Sequence, residues 1–234
     1  MRKIWVLTLF PEYFETLKTC GVTGASLKEK LECVNIRDYS KTKYKSVDDT
    51  PYGGGPGMVM KADILRDALI EGVVQKGGYE SVNELHVIYP SPRGKIWNHQ
   101  AARDFSESFL SGEKDLVFIC GRYEGIDERF IEKYVSSFYS VGDYVLSGGE
   151  LAVMLILDSS LRYQKDVLGN SLSSAEDSFE DGLLEFPQYT KPREFEGLEV
   201  PSVLLEGHHQ KIKQWQKDQK LAMTKKYRPD LISK

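Results

Sequence analysis

The sequence predicts an α/β domain built on a mainly parallel sheet, followed by a smaller basic domain of helical character. Three observations carry this reading. Short apolar runs alternate with stretches of helical periodicity through the first half of the chain, and Gly-rich segments follow three of the predicted strands. After Tyr163 the composition turns polar, acidic and Ser-rich. A chain of 234 residues, 41% hydrophobic and 28% charged, can bury one large core and a small second one.

The predicted strands are Ile4 to Phe10, Glu32 to Ile36, Leu85 to Tyr89, Leu116 to Cys120, and a segment around Tyr144 to Leu146. Helices are expected over Tyr13 to Thr19, Ala62 to Gln75, Gln100 to Phe109 and Glu150 to Tyr163; in the last, Leu151, Met154, Leu155 and Leu161 recur at helical spacing. This gives a first domain over 1–165. Residues 166–186, with Glu176, Asp177, Ser178, Glu180, Asp181 and Gly182, read as an interdomain linker, and 187–234 as a small helical domain. From Gly207 onward Ile212, Trp215, Ala222 and Met223 mark one side of a helix whose cations Lys211, Lys213, Lys217, Lys220 and Lys225 lie elsewhere.

Charge and cysteine usage exclude several classes. The net charge of −4 speaks against a uniformly basic nucleic-acid binder, yet residues 187–234 hold ten Lys and Arg against six Asp and Glu. Lys41, Lys43 and Lys45 flank Tyr44 in a second, weaker basic cluster. Cys20, Cys33 and Cys120 stand far apart in apolar surroundings and read as buried thiols, not as a disulfide framework or a metal site. His86, His99, His208 and His209 lack zinc-ligand spacing and read as surface or helix-entry residues. No run approaches 18 uncharged apolar residues and the N-terminal segment lacks the pattern of a signal peptide, so a cytoplasmic location is expected.

Ligands of open α/β sheets bind at the carboxyl ends of strands, so the Gly-rich segments there are informative. Tyr89-Pro90-Ser91-Pro92-Arg93-Gly94 follows the strand at Leu85, and Gly121-Arg122-Tyr123-Glu124-Gly125 follows the one at Leu116. Val141-Gly142-Asp143-Tyr144-Val145-Leu146-Ser147-Gly148-Gly149-Glu150 leads into the long helix. Glycine permits positive φ and lets a ligand approach the main chain. Pro51 to Met58 looks like a phosphate cradle but lacks the Gly-Lys-Ser/Thr ending of a P-loop, and no GxGxxG follows the first strand; nucleoside triphosphates and dinucleotides are therefore poor candidates.

The combination of Leu9-Phe10-Pro11-Glu12, Val47-Asp48-Asp49, Pro51 to Met58, Gly121 to Arg129, Gly142 to Glu150, Ala175 to Phe179, Pro187-Gln188-Tyr189-Thr190 and Gly207-His208-His209 resembles the bacterial tRNA (guanine-N1)-methyltransferases almost end to end. The resemblance implies a SPOUT fold, an α/β parallel sheet whose C-terminal part is threaded into a deep trefoil knot, an exception to the rule against threaded loops. It implies that S-adenosylmethionine is bound by Tyr89, Pro90, Ser91 and Pro92, by Gly121, Tyr123 and Glu124, and by Val141, Gly142, Asp143, Tyr144, Val145, Leu146, Gly148 and Gly149. Arg162 and Asp177 fall on the family's catalytic pair. The family is also associated with magnesium, for which Glu124, Asp177 and Asp181 offer hard oxygen ligands. Two departures are Ala152, where the family carries a proline beside the cofactor, and Gln188, where some members carry a histidine.

The implied substrate is the guanosine on the 3′ side of the anticodon in the tRNA anticodon stem-loop. The implied assembly is a homodimer whose sites are shared between subunits. Guanine N1 carries a proton at neutral pH, so transfer of a methyl group to it needs a base, the role that falls to Asp177, and a group to stabilise charge on O6, the role open to Arg162. Two alternatives are a methyltransferase of the same fold acting on another RNA base or a ribose 2′-OH, and an RNA-binding protein with a vestigial pocket.

Overall fold

The computed structural model describes residues 2–164, 167 and 177–232. They belong to two compact units, one extending to residue 169 and the other beginning at residue 170. In the larger unit the chain runs β1 (Ile4–Thr8), α1 (Glu12–Thr19), α2 (Gly21–Leu27), β2 (Leu31–Asn35), the two-residue strands β3 (Asp48–Asp49) and β4 (Val59–Met60), and α3 (Ala62–Leu69). It continues through β5 (Leu85–Ile96), α4 (His99–Phe105), β6 (Asp115–Ile119), α5 (Glu128–Tyr134), β7 (Ser137–Ser140) and α6 (Glu150–Leu161).

Five strands form one parallel sheet in the order β2-β1-β6-β5-β7. A parallel sheet covered on both faces reads as continuous apolar sequence, and β1, Ile-Trp-Val-Leu-Thr, is buried at every position. Its Ile4 and Val6 join Phe14, Leu27, Phe105, Phe118, Val153, Ile156 and Leu157 on one face. Trp5 and Leu7 join Leu65, Leu69, Val73, Val87, Val117 and Phe130 on the other. Helices α1, α4 and α6 therefore cover one side, and α3 and α5 the other.

The expected strand around Tyr144 to Leu146 is absent. That apolar triplet lies in a loop opened by Gly142 at φ +149°, and Val145 is 92% exposed. The fifth strand is β7, whose short Ser-Phe-Tyr-Ser sequence gave little signal; it pairs with β5 from Ile88↔Ser137 onward. Strand β5 also runs beyond Tyr89 through the Pro- and Gly-containing segment, with a register shift between Pro90 and Lys95. A Cβ at Gly94 would meet Phe138 C at 2.6 Å, so the glycine lets the β7 backbone close on β5 here. The helices expected to reach Gln75 and Phe109 change to wider π-type turns at Ile70–Gln75 and Ser106–Leu110.

Cys20 is exposed, against expectation, because it occupies the turn between α1 and α2; Cys33 is half-buried and Cys120 buried. Burial pushes the Cys33 thiol up to about 12 and Cys120 well above the usual thiol range, which disfavours the thiolate at both. His86 is not a surface residue either. It lies half-buried in β5, hydrogen-bonded to Ser137 Oγ at 2.9 Å and packed on Phe109. His99 and His209 open α4 and α7.

The smaller unit contains a turn over 177–185, the short antiparallel pair β8 (Glu194–Phe195) and β9 (Leu198–Glu199), and α7 (His209–Tyr227). Trp215 of α7 meets Phe186 and Tyr189 edge-on or tilted. Ala222, expected on the apolar side, is exposed; the buried position of the helix is Thr224, which accepts a hydrogen bond from Leu184 N–H at 2.9 Å and donates to Lys220 O. Residues 165–166 and 168–176, most of the first half of the expected linker with Glu176, lie outside the described residues.

Candidate functional site

Three segments leave the sheet at its carboxyl edge and converge on one cavity of about 250 Å³. They are the part of β5 just past its pairing with β6, the loop after β6 and the long loop between β7 and α6, the place where open α/β sheets bind ligands. Tyr89, Pro90, Ser91, Pro92, Gly121, Tyr123, Glu124, Val141, Gly142, Tyr144, Val145, Leu146, Gly148 and Gly149, all expected at the cofactor site, line it. Asp143 does not; it is exposed on the loop outside the cavity. Arg122, Gly125, Tyr139, Ser140, Ser147 and Ala152 complete the lining, and Ala152 is the position at which the resembled family carries proline.

The backbone of these loops is held close. Gly149 N–H donates to Gly121 O at 2.9 Å, and a Cβ at Gly149 would meet Cys120 Cα at 2.9 Å and Gly121 N at 3.0 Å. Glycine is needed there for chain-to-chain approach, not for a positive φ, whereas Gly125 at φ +121° and Gly142 at +149° need it for conformation. Tyr123, a non-glycine residue, sits at φ +59°, a left-handed conformation costing of order 1–3 kcal/mol that concentrates at functional sites. Tyr89 is 8% exposed, and burial raises its phenol above the usual range, so it contributes a neutral ring.

Pro51 to Met58, left without a role by its sequence, lies against the loop after β6. Glu124 N–H donates to Met58 O and Met60 N–H to Gly125 O, each at 3.0 Å, and a Cβ at Gly57 would collide with the Glu124 carboxylate. The glycine-rich segment thus packs beside Glu124 at the cavity rim.

Two polar residues that sequence reasoning passed over are buried beside the site; neither lines the cavity itself, but both connect to its lining residue Arg122. Glu150, the first residue of α6, is 1% exposed, and Arg122 Nη2 approaches its Oε2 at 2.9 Å. Thr8, the buried polar end of β1, donates to Glu150 Oε1 at 2.8 Å. The available signal was a carboxylate opening a helix whose next seven residues are apolar and a lone hydroxyl closing an apolar strand.

Arg162 does not line the cavity; it caps the far end of α6, about 18 Å along a 12-residue helix from Glu150 at 1.5 Å per residue. Asp177 is half-buried in the smaller unit, at the start of a turn in which Glu180 N–H donates to its carbonyl. Downstream in that turn, Asp181 pairs with Lys220 at 2.8 Å. Lys220, one of the cations expected away from the apolar side of the helix, is therefore an ion-pair partner only 13% exposed, whereas Lys213 and Lys217 are exposed. Among the described residues no group of three or more His, Cys, Asp or Glu is placed to hold a metal ion, so no ligand set for magnesium is assigned. Among the same residues no helix is long and apolar enough to cross a membrane.

A family model described as "tRNA (Guanine-1)-methyltransferase TrmD" matches residues 2–234. A tRNA (guanine-N(1)-)-methyltransferase of Psychromonas ingrahamii is 48% identical over 98% of this chain and 91% of its own. Proteins of the same description from Lactobacillus delbrueckii subsp. bulgaricus and Actinobacillus pleuropneumoniae are 47% and 44% identical, over 98% of this chain and 88% and 90% of theirs.

Proposed function

The chain belongs to the tRNA (guanine-1)-methyltransferase family and is an enzyme that methylates guanine N1 in tRNA; on that premise we propose that its methyl donor is S-adenosylmethionine, held in the cavity at the carboxyl edge of the sheet. The observation that carries this reading is the convergence of three Gly-rich loops on one cavity lined by close-packed backbone, the rings of Tyr89, Tyr123 and Tyr144, and one carboxylate, Glu124. Those groups suit an adenosine flanked by hydroxyls and a cationic sulfonium: rings and aliphatic carbons for the base, main-chain donors and acceptors for its edge, and a carboxylate near positive charge. The sulfonium supplies an activated methyl carbon, so the chain's residues have to bind and orient the donor, exclude water and manage the proton on N1.

Asp177 is the base in this reading. Its carboxylate accepts the N1 proton as the N1–CH₃ bond forms and the S–CH₃ bond breaks, while a guanidinium, Arg162, stabilises the charge that spreads to O6. Arg162 stands a helix length from the rim of its own cavity, which supports a site completed by a second copy of the chain. The same conclusion gains support from α6, which is apolar from Leu151 through Leu157 yet has Leu151 and Leu155, one turn apart, 49% and 41% exposed. A helix of that kind is normally buried. The target nucleoside is the guanosine 3′ to the anticodon, splayed out of the loop and read on its edges, and the working place is the cytoplasm. A SPOUT-type trefoil knot belongs to the same reading. Its support is local: α6 begins where the loop before it is bonded to the loop after β6, with Gly149 seated against the Cys120 and Gly121 backbone.

The test is nucleoside analysis by mass spectrometry of a tRNA transcript incubated with the protein and methyl-labelled S-adenosylmethionine. Label in 1-methylguanosine at the position 3′ to the anticodon is expected. Label on a ribose or another base would refute the substrate assignment.

A further inference from the structure

Arg122 and Glu150 make an ion pair whose surroundings are poor for stability and well placed for the cavity. Glu150 is 1% exposed and the Arg122 side chain 15%, and the guanidinium lies 4.5 Å from the Phe10 ring centroid. Arg122 Nη1 also donates to Ser147 O at 3.1 Å. Yet Arg122 Nε and Glu150 Oε2 are both buried without a hydrogen-bond partner among the described residues; the 2.9 Å approach to Oε2 is a charge contact lacking the alignment of a hydrogen bond. A buried pair repays its desolvation only when geometry is good and the remaining donors and lone pairs are satisfied. This pair is close but leaves one buried donor and one buried acceptor unsatisfied, so fold stability alone is a poor account of it.

Its connections account for it better. Arg122 belongs to the loop after β6, Ser147 to the loop before α6, Glu150 to the first turn of α6, and Thr8 to the end of β1. The pair joins them across Gly148, where a Cβ would collide with Arg122 Nε. We propose that Arg122 and Glu150 are positioning residues, a charged clamp that fixes the separation of the two cofactor loops, with Thr8 orienting the carboxylate. The proposal rests on the reading of this cavity as the S-adenosylmethionine site. A preset separation lowers the ordering cost of gripping the ligand, and the stability forgone in burying an ill-satisfied pair is consistent with that use.

The clamp is tested by separating ligand affinity from fold stability. Glu150→Gln keeps the volume and an acceptor for Thr8 but removes the charge that holds Arg122. Arg122→Met with Glu150→Gln removes both charges, the kind of replacement that is often neutral or favourable for stability. For the double variant, an unfolding temperature at or above that of the wild type is expected, with a calorimetric Kd for S-adenosylmethionine at least about tenfold weaker and a KM that rises with it, while kcat at saturating donor falls much less. A folded double variant with wild-type Kd would overturn the proposal, leaving the pair merely structural. So would an unchanged Kd with a collapsed kcat, which would place the pair in the transfer step. A double variant that cannot fold would also overturn it, because the pair would then be holding up the fold. Failure of the wild-type protein to bind S-adenosylmethionine would instead remove the reading of the cavity on which the clamp depends.

Discussion

Gly148 and Gly149 are adjacent, but they are glycine for different reasons. A side chain at Gly148 displaces Arg122, whereas one at Gly149 meets the backbone of Cys120 and Gly121, which has nowhere to go without moving the end of β6. Gly148→Val should therefore weaken S-adenosylmethionine binding at least about tenfold, roughly 1.4 kcal/mol, in a protein that still folds. Isothermal titration of the folded variant checks it, and unchanged affinity would put the cofactor elsewhere. At this scale the sequence was legible where glycines mark the strand ends: the three Gly-containing segments that line the cavity were recognisable, while the expectation for their individual residues came from the family resemblance. It was not legible for Arg122 and Glu150, which meet across 28 residues of chain only because two loops fold onto one another, nor for the strained Tyr123, since a backbone dihedral leaves no trace in composition.

Among the elements, the basic helix shows how a pattern can mislead about one position while describing the rest. Periodicity placed Lys220 among the cations, but the turn carrying Asp177 folds back onto α7 and takes Lys220 as the partner of Asp181, a contact between residues 39 apart. Lys213 and Lys217 remain exposed. Replacing both with Glu should weaken tRNA binding and flatten its salt dependence, on the order of one unit of log–log slope for each lost phosphate contact, without changing cofactor affinity; filter binding at two salt concentrations reads it. Lys220 should behave otherwise. Burial would raise the Asp181 carboxyl, but the hydrogen bonds from Lys220 and from Leu183 N–H outweigh it and hold it below the usual carboxylate range. A depressed folded value gives stability that is present above the unfolded pKa, about 3.9, and lost as pH falls through the folded one. The wild-type unit should therefore lose stability as pH falls below about 4, and Lys220→Met should lose most of that acid dependence, measured as unfolding midpoint against pH. The same element-level reading found most of the sheet, because parallel strands buried on both faces are apolar throughout, and missed β7, whose four residues carry as many serines as aromatics.

The whole molecule is where the account asks most of the chain. With Arg162 at the far end of α6 from its own cavity and Leu151 and Leu155 exposed on that helix, activity should require two copies. Leu151→Lys with Leu155→Lys should yield monomer by analytical ultracentrifugation and reduce methylation to background; an active monomer would contradict the shared site. Sequence periodicity cannot show the proposed second copy or the proposed threaded chain, because both would be relations between distant segments. The central claim is that a carboxylate from the smaller unit takes the guanine N1 proton, and single-turnover methylation of a tRNA transcript across a pH series tests it most directly. Asp177→Asn preserves the shape but cannot accept the proton, so the rate should fall at least about a hundredfold, the residual rate should climb with pH as N1 loses its proton unaided, and cofactor affinity should stay unchanged. A near-normal rate in the Asn variant, with the wild-type pH dependence, would contradict it and send the search for the base to the other carboxylates of that turn.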